Sequence, residues 1–450
     1  MLKRFFKKNY GVDEFPKSIQ YLFFVEMGER FSFYGLLSVV TLYLISYLNF
    51  SEANAVSTIS LFRTIGYASQ ILTIFIVARV TNHYKIMLFS LVGIAIGHVI
   101  IGEFSIYGNM IYVGLFCIFF SMGIFKPVNM PFMIKQCDGN KKLQSAVVAI
   151  NYCLFNFAST IAMLAVPYAY TMYGPKAGFV LPSFFAIFAA FIIWYGKKTY
   201  NLGIEENKNE MLLFKTIKIY IFAKYKKQDW YKIISDKYGQ HEAGDIYKIR
   251  LLFLVFVASV FYFVAMENMY HAMVVHVNKL EPFLFGFRII PSQLQVINAI
   301  VPVLGLPLIR AYVLPLFFKK NTNILSKMAF GTVFLVLGFL SATIIEFALA
   351  KGYKVNATWD LIPWILNAIS EIITYVYLLE FFSSYISENK RVISCVMFTI
   401  SHLLSSFIIS VFSKLYGSID AVYFSYCTAS AFVSLVLFVL LSKKINISHN

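Results

Sequence analysis

Charged side chains are scarce in this chain. They make up 14% of its 450 residues, where a soluble domain carries about 25%. So few charges cannot cover a water-exposed surface, which excludes an ordinary soluble domain. Acids are scarcer than bases, with 22 Asp and Glu against 39 Lys and Arg. The net charge of +17 would suggest nucleic acid as the partner of a soluble protein. Here the cations crowd into alternate gaps between apolar stretches, and no nucleic-acid partner is expected. The five cysteines, Cys117, Cys137, Cys153, Cys395 and Cys427, form no CxxC pair and no His/Cys cluster, so they read as small core residues. A GxxxxGK loop, HExxH and GxSxG are all missing, and no catalytic residue is expected. His83, His98, His241, His271, His276 and His402 are scattered without metal spacing, so neither a metal nor a cofactor is expected. His271 and His276 read as interfacial. The basic start runs into a polar stretch and then an apolar run too long for a leader, so no cleavable signal is expected.

What the chain has in abundance is apolar sequence, 59% of residues. Stretches long enough to cross a bilayer, roughly 20 residues each, fall at 19–48, 55–78, 86–106, 110–134, 144–170, 177–196, 251–276, 292–317, 327–350, 361–386, 392–416 and 421–442. The 47 Phe and 30 Tyr read mainly as lipid-facing and interfacial bulk. The fold class expected is an all-α membrane protein with twelve transmembrane helices. Lys and Arg gather before the first span and in the even-numbered loops, as in Arg79 and Lys85, Lys135, Lys141 and Lys142, and Lys319 and Lys320. Such loops face the cytoplasm, so both termini are expected there. Residues 197–250 break the rhythm with twelve cations and an amphipathic run, LLFKTIKIYIF. They are expected to lie on anionic headgroups as a cytoplasmic linker. The organisation is then a six-helix bundle over 1–196, a linker over 197–250 and a second six-helix bundle over 251–450. Two similar bundles joined in this way form the architecture of major-facilitator transporters.

An ionisable side chain at membrane depth costs about 2.5–3.5 kcal/mol or more, so those present point to function. The first span holds Glu26, Glu29 and Arg30 at i, i+3 and i+4, one helical face, which Tyr34 continues. One Arg cannot neutralise two acids, and Lys126 in the fourth span lies at a similar depth, roughly 12–15 Å from the cytoplasmic side. These four residues are expected to form a proton-sensitive network. Glu267 and Glu371, in the seventh and tenth spans, have no base within four positions. Each must be protonated, paired across helices or facing water.

These motifs resemble those of the proton-coupled oligopeptide transporters of the major facilitator superfamily. ExxERFxxYG matches at Glu26, Glu29, Arg30, Phe31, Tyr34 and Gly35, and GxFKP at Gly123, Phe125, Lys126 and Pro127. YxxxN matches at Tyr152 and Asn156, and PxxxQxxN at Pro291, Gln295 and Asn298. The resemblance implies alternating access around a midplane site. It implies that Glu26, Glu29, Arg30, Lys126 and Glu267 couple transport to protons, and that Tyr34, Tyr67, Tyr152, Asn156, Asn298 and Glu371 line the substrate cavity, Glu371 holding an amino group. The implied partners are protons, a di- or tripeptide or similar small peptide-like solute, and the lipid bilayer. A monomer in a cell membrane is expected, and the richness in Lys, Ile, Phe and Asn points to a bacterial inner membrane.

Several positions depart from the family. Leu37 replaces its usual Arg, Ala78 and Asn82 stand in the loop usually written ADRxxG, Tyr375-Val376 replaces Ser-Pro, and Ser60 stands where animal members have a histidine. The lost Arg at Leu37 would leave Glu267 without its cation. Arg63 shares a helical face with Tyr67, one turn away, and is expected to replace that cation or to meet a substrate carboxylate. The departures also leave open a transport-incompetent receptor or scaffold on the same fold, and a member carrying a non-peptide solute.

Overall fold

The computed structural model describes residues 15–77, 82–202, 232–233, 235–236, 240–319, 322–385 and 391–447. Both chain ends, Ala78 and Arg79, and most of the expected linker with its amphipathic run lie outside the described residues.

The first half contains six long helices: α1 Lys17–Ser46, α2 Glu52–Val77, α3 His83–Val99, α4 Met110–Lys135, α5 Lys141–Tyr173 and α6 Pro175–Tyr195. Asn82 and Asn140 cap α3 and α5 by accepting from the amides of Lys85 and Leu143, and Pro175 opens α6 where a missing N–H is harmless. The second half holds α7 Gln240–Glu267, then a 3-10 turn Asn268–Tyr270 leading into α8 Ala272–Val277. A small hairpin pairs β1 Phe283–Leu284 with β2 Phe287–Arg288. A 3-10 turn Pro291–Val296 and α9 Ile297–Leu308 follow, then a π-helical turn Ile309–Val313 and α10 Leu314–Phe317. The chain closes with α11 Ile324–Ala350, α12 Leu361–Ser370, a π-turn Glu371–Tyr375, α13 Val376–Ser384, α14 Arg391–Tyr416 and α15 Ala421–Ile447.

Nine helical segments among the described residues are long and apolar enough to cross a membrane, and a tenth is Pro291–Leu306 with Ala311–Phe317, bent by 48°. Helices α1 and α2 are not among the nine, although they are as long and pack among them. They carry Glu26, Glu29, Arg30 and Arg63. The spans differ from the sequence reading in detail. Helix α7 begins at Gln240, inside the segment read as linker, a π-turn Ile100–Phe104 ends the span read at 86–106, and the spans read as continuous at 292–317 and 361–386 are each interrupted by a π-turn. At the second interruption the turn begins at Glu371 itself.

Within 15–202, α1 packs on α5 and α6, α3 on α4 and α6, and α2 on α4. Within 240–447, α11 packs on α12 and α15, and α7 on α14 and α15. The halves meet where α2 lies along α14 and where α5 meets α9 with the turn before it. The contact of α2 with α4 is backbone to backbone, because a Cβ on Gly123 would collide with the Gly66 carbonyl and the Ser69 hydroxyl. The aromatics divide between two environments. Phe89, Phe184 and Phe191 face outward, as lipid contact requires, while Tyr43, Phe119, Tyr262, Phe263 and Tyr423 fill the core. Reading them mainly as lipid-facing therefore understated the interior.

Candidate functional site

The helical spacing of Glu26, Glu29 and Arg30 closes into a buried triad. Arg30 Nε lies 2.7 Å from Glu26 Oε1 and 3.2 Å from Glu29 Oε2. Asn129, one turn beyond Lys126 on α4, donates to the other oxygen of Glu26. The guanidinium also lies 5.0 Å from the centre of the Phe155 ring on α5, within cation–π range. Glu29 is fully buried, and among the described residues neither of its oxygens has a hydrogen-bond donor. This is the acid that the single Arg leaves under-neutralised.

Lys126 stands apart from the triad. Its Nζ lies 5.1 Å from the Phe33 ring centre, and among the described residues it has no direct ion pair. The charged groups within electrostatic reach of it are Arg30, Glu29, Arg63 and Glu267. The compact four-residue network read from the sequence is therefore a contacting triad, with the lysine within reach of it and of the Arg63–Glu267 pair.

The second cluster joins the two halves. Arg63 Nη2 contacts Glu267 Oε2 directly. Tyr67 accepts from Arg63 at 3.1 Å and donates to Glu267 Oε1 at 2.8 Å. His402 of α14 places Nδ1 2.8 Å from the same Glu267 oxygen, and its ring stacks on Tyr67 and Phe263. The Arg63 guanidinium also sits 5.2 Å from the centre of Tyr270. No local pattern marks His402 or Asn129, since each becomes a partner only when a second helix is laid against it.

Glu371 has a third environment. No base contacts it among the described residues, and its Oε2 is buried without a hydrogen-bond partner. Tyr34, Tyr152, Tyr262, Tyr270 and Tyr375 all lie within electrostatic reach of it. Tyr34 packs against Phe155 at 5.6 Å and Tyr270 at 6.3 Å between ring centres. Asn156 donates to the Tyr152 carbonyl at 2.9 Å. Among the described residues, Asn298 is buried with both amide atoms unpartnered, and so is Gln295. Buried polar groups in this condition are costly and are suited to a polar guest.

The ionisable inventory of the three clusters is four acids, Glu26, Glu29, Glu267 and Glu371, against three bases, Arg30, Arg63 and Lys126. With every acid ionised and His402 neutral, the set carries one negative charge. One proton, or one ammonium group of a guest, neutralises it.

A further buried cluster lies in the second half. His276 places Nδ1 2.6 Å from Glu346 and Nε2 3.1 Å from Asp360, and Trp364 donates to Asp360 at 2.8 Å. Lys279 lies 3.7 Å from Glu346 and 3.1 Å from Glu52 at the start of α2, so it ties the halves together. The interfacial reading of His271 and His276 is corrected, since both are fully buried. Two carboxylates from α11 and the turn before α12 supply what a buried imidazole needs.

The model of the POT family matches residues 83–428 of this chain. Solute carrier family 15 member 2 of Rattus norvegicus is 23% identical over 357 residues, covering 74% of this chain and 49% of its own length. Dipeptide and tripeptide permease B of Aliivibrio fischeri is 22% identical over 390 residues, covering 79% of this chain and 77% of its own length. The chain thus spans about half the length of the animal relative. An auto-inhibited POT family peptide transporter superposes with a TM-score of 0.83 at 18% identity, over 95% of this chain and 97% of that one. A POT family transporter in complex with 5-aminolevulinic acid gives 0.77 at 17%, over 94% and 95%. The fold is that of these major-facilitator transporters.

Proposed function

The chain belongs to the POT family, and on that premise we propose that it is a proton-coupled symporter importing di- and tripeptides or similar small solutes by alternating access. The observation that carries this reading is the surplus of one buried acid over the bases around a set of unpartnered polar side chains. A permanent structural network would close its own charge. One that is short by a single positive charge binds a proton, an ammonium group, or each in turn.

In this reading Glu26, Glu29, Arg30, Lys126 and Glu267 couple transport to protons. Tyr34, Arg63, Tyr67, Tyr152, Asn156, Asn298 and Glu371 receive the solute. Glu371 takes the amino group, because an α-ammonium is the simplest partner for a buried carboxylate without a base. A proton arriving at Glu267 weakens its hold on Arg63, which frees the guanidinium for a solute carboxylate and loosens the seam between α2 and α14. The two six-helix bundles, 1–196 and 251–450, rock about the site, with 197–250 as a cytoplasmic linker. The working unit is twelve spans in a monomer, both termini are cytoplasmic, and the home is a bacterial inner membrane.

The test is uptake of radiolabelled dialanine into proteoliposomes with and without an inward proton gradient. Concentrative uptake that needs the gradient is expected. Neither uptake nor exchange of any di- or tripeptide would turn the reading toward a receptor or scaffold. A second reading, a non-peptide amine-bearing solute, is favoured by Tyr375-Val376 beside Glu371. A family structure holding 5-aminolevulinic acid adds to it. Competition of dialanine uptake by that acid separates the two.

A further inference from the structure

Three groups from other positions hold Glu267. Tyr67 and His402 share its Oε1 at 2.8 Å each, and Arg63 takes Oε2. A neighbour that itself exchanges a proton offers a direct route to this buried carboxylate. Arg63 is permanently charged, and the Tyr67 hydroxyl already bridges Arg63 to the acid. Of the three side-chain types, only an imidazole can both take up and pass on a proton with an ordinary pKa near neutral. Its ring is wedged between Phe263, 3.7 Å away, and Tyr67, 5.1 Å away, and this fixes the Nδ1 edge toward Glu267. The side chain keeps 12% of its surface accessible against 4% for Glu267, so the ring is the more open of the two. The charged and titratable groups facing it are Glu267 from α7, Arg63 and Tyr67 from α2, Lys126 from α4 and Tyr375 from the π-turn.

We propose that His402 is the proton relay to Glu267, a role that rests on the proton-coupled reading above. In the resting arrangement the neutral ring donates Nδ1–H to Glu267 Oε1. A proton binding at Nε2 makes the imidazolium. The Nδ1–H bond then breaks and an O–H bond forms at Oε1, leaving a neutral ring that carries its proton on Nε2 and a neutral carboxyl. Arg63 loses its counter-charge in that step. Because Arg63 and Tyr67 stand on the first half and Glu267 and His402 on the second, the transfer acts on the seam between them.

The test uses the full-length protein in proteoliposomes, with dialanine as probe and an internal pH dye. In His402→Asn the amide can donate to Glu267 but cannot relay. Proton-driven accumulation is expected to fall about tenfold more than dialanine exchange, and its pH profile to flatten between about pH 5.5 and 7.5. Accumulation and a pH profile matching the unsubstituted protein overturn the proposal. If His402→Asn does not fold, His402→Gln carries the same comparison. An independent readout is the 15N NMR titration of the His402 ring in the full-length protein. A titration that moves in Glu267→Gln supports the relay, and one that does not move overturns it. If the unsubstituted protein carries no dialanine in either mode, the transport reading fails, and the NMR titration still decides on the pair.

Discussion

Arg63 and Glu267 meet across the two halves of the chain, each almost wholly buried and each the other's only opposite full charge in direct contact among the described residues. Removing one partner of such a pair strands the other, at a cost of about 3–5 kcal/mol. Arg63→Leu is therefore expected to abolish gradient-driven uptake. Arg63→Lys keeps the charge but loses the planar fork and should recover only part of it. Initial rates of dialanine uptake measure both. Undiminished uptake by Arg63→Leu would show that the contact is idle.

Lys126 has no contacting acid among the described residues and is within electrostatic reach of both the triad and the Arg63–Glu267 cluster. A lysine so placed reports the charge state of both. Lys126→Ala is expected to lose concentrative uptake while keeping measurable exchange. The drive at stake is about 2.3 kcal/mol per proton per 100 mV. Normal accumulation by this variant would remove Lys126 from the coupling machinery.

Glu371 presents a buried oxygen without a partner. Peptides with a free amino terminus should bind much more tightly than their acetylated counterparts, by about tenfold or more for a charge-assisted contact. Glu371→Gln should narrow that gap. Thermal-shift or competition binding against the paired peptides measures it, and equal affinities for free and acetylated forms count against an amino-group role.

The His276 cluster makes a prediction about stability. His276→Leu leaves Glu346 and Asp360 facing each other without the imidazole that now bridges them. It also disturbs the environment of Lys279, which reaches Glu52 in the first half. A loss of about 3–5 kcal/mol is expected, read as an earlier thermal unfolding transition in detergent. A transition within error of the unsubstituted protein would mean that the bridge is dispensable.

Asp420 gives a pH dependence outside the spans. Partial burial would raise its carboxyl, but the Tyr423 and Val422 amides and the Ser418 and Tyr416 hydroxyls all donate to it and hold it below the ordinary value. A carboxyl lowered on folding stabilises the fold at pH above its unfolded value of about 3.9. That contribution is lost as pH falls through the folded value. Asp420→Ala should fray the start of α15 at neutral pH, and its stability should converge with that of the unsubstituted protein in acid, as read from melting curves at stepped pH.

Glu26, Glu29, Arg30, Arg63, Lys126, Glu267 and Glu371 were legible because lipid makes charges expensive, and a single helical repeat brought Glu26 to Arg30 and Arg63 to Tyr67; Glu346, inside another span, went unread. Partners that depend on a second helix were legible only where a matching charge was sought. Glu267 demanded a cation, which led to Arg63. A neutral histidine such as His402 makes no such demand, and nothing in the sequence around it marks its neighbour. His276 was misread for a similar reason. Its position near the end of a span suggests an interface, but the acids that allow its burial lie on α11 and before α12, 70 and 84 residues away. The π-turn that begins at Glu371 was also hidden, because apolar periodicity does not distinguish a regular helix from one that gains a residue in a turn.

The missing side chain at Gly123 has a geometric consequence. The α4 backbone rests on Gly66 and Ser69 of α2 with no side chain between them. Lys126 lies one turn beyond that contact on α4, and Arg63 one turn before it on α2. The spacing of the two cations is therefore set by the absence of a side chain at Gly123, and a methyl group added there would have to push the helices that carry them apart.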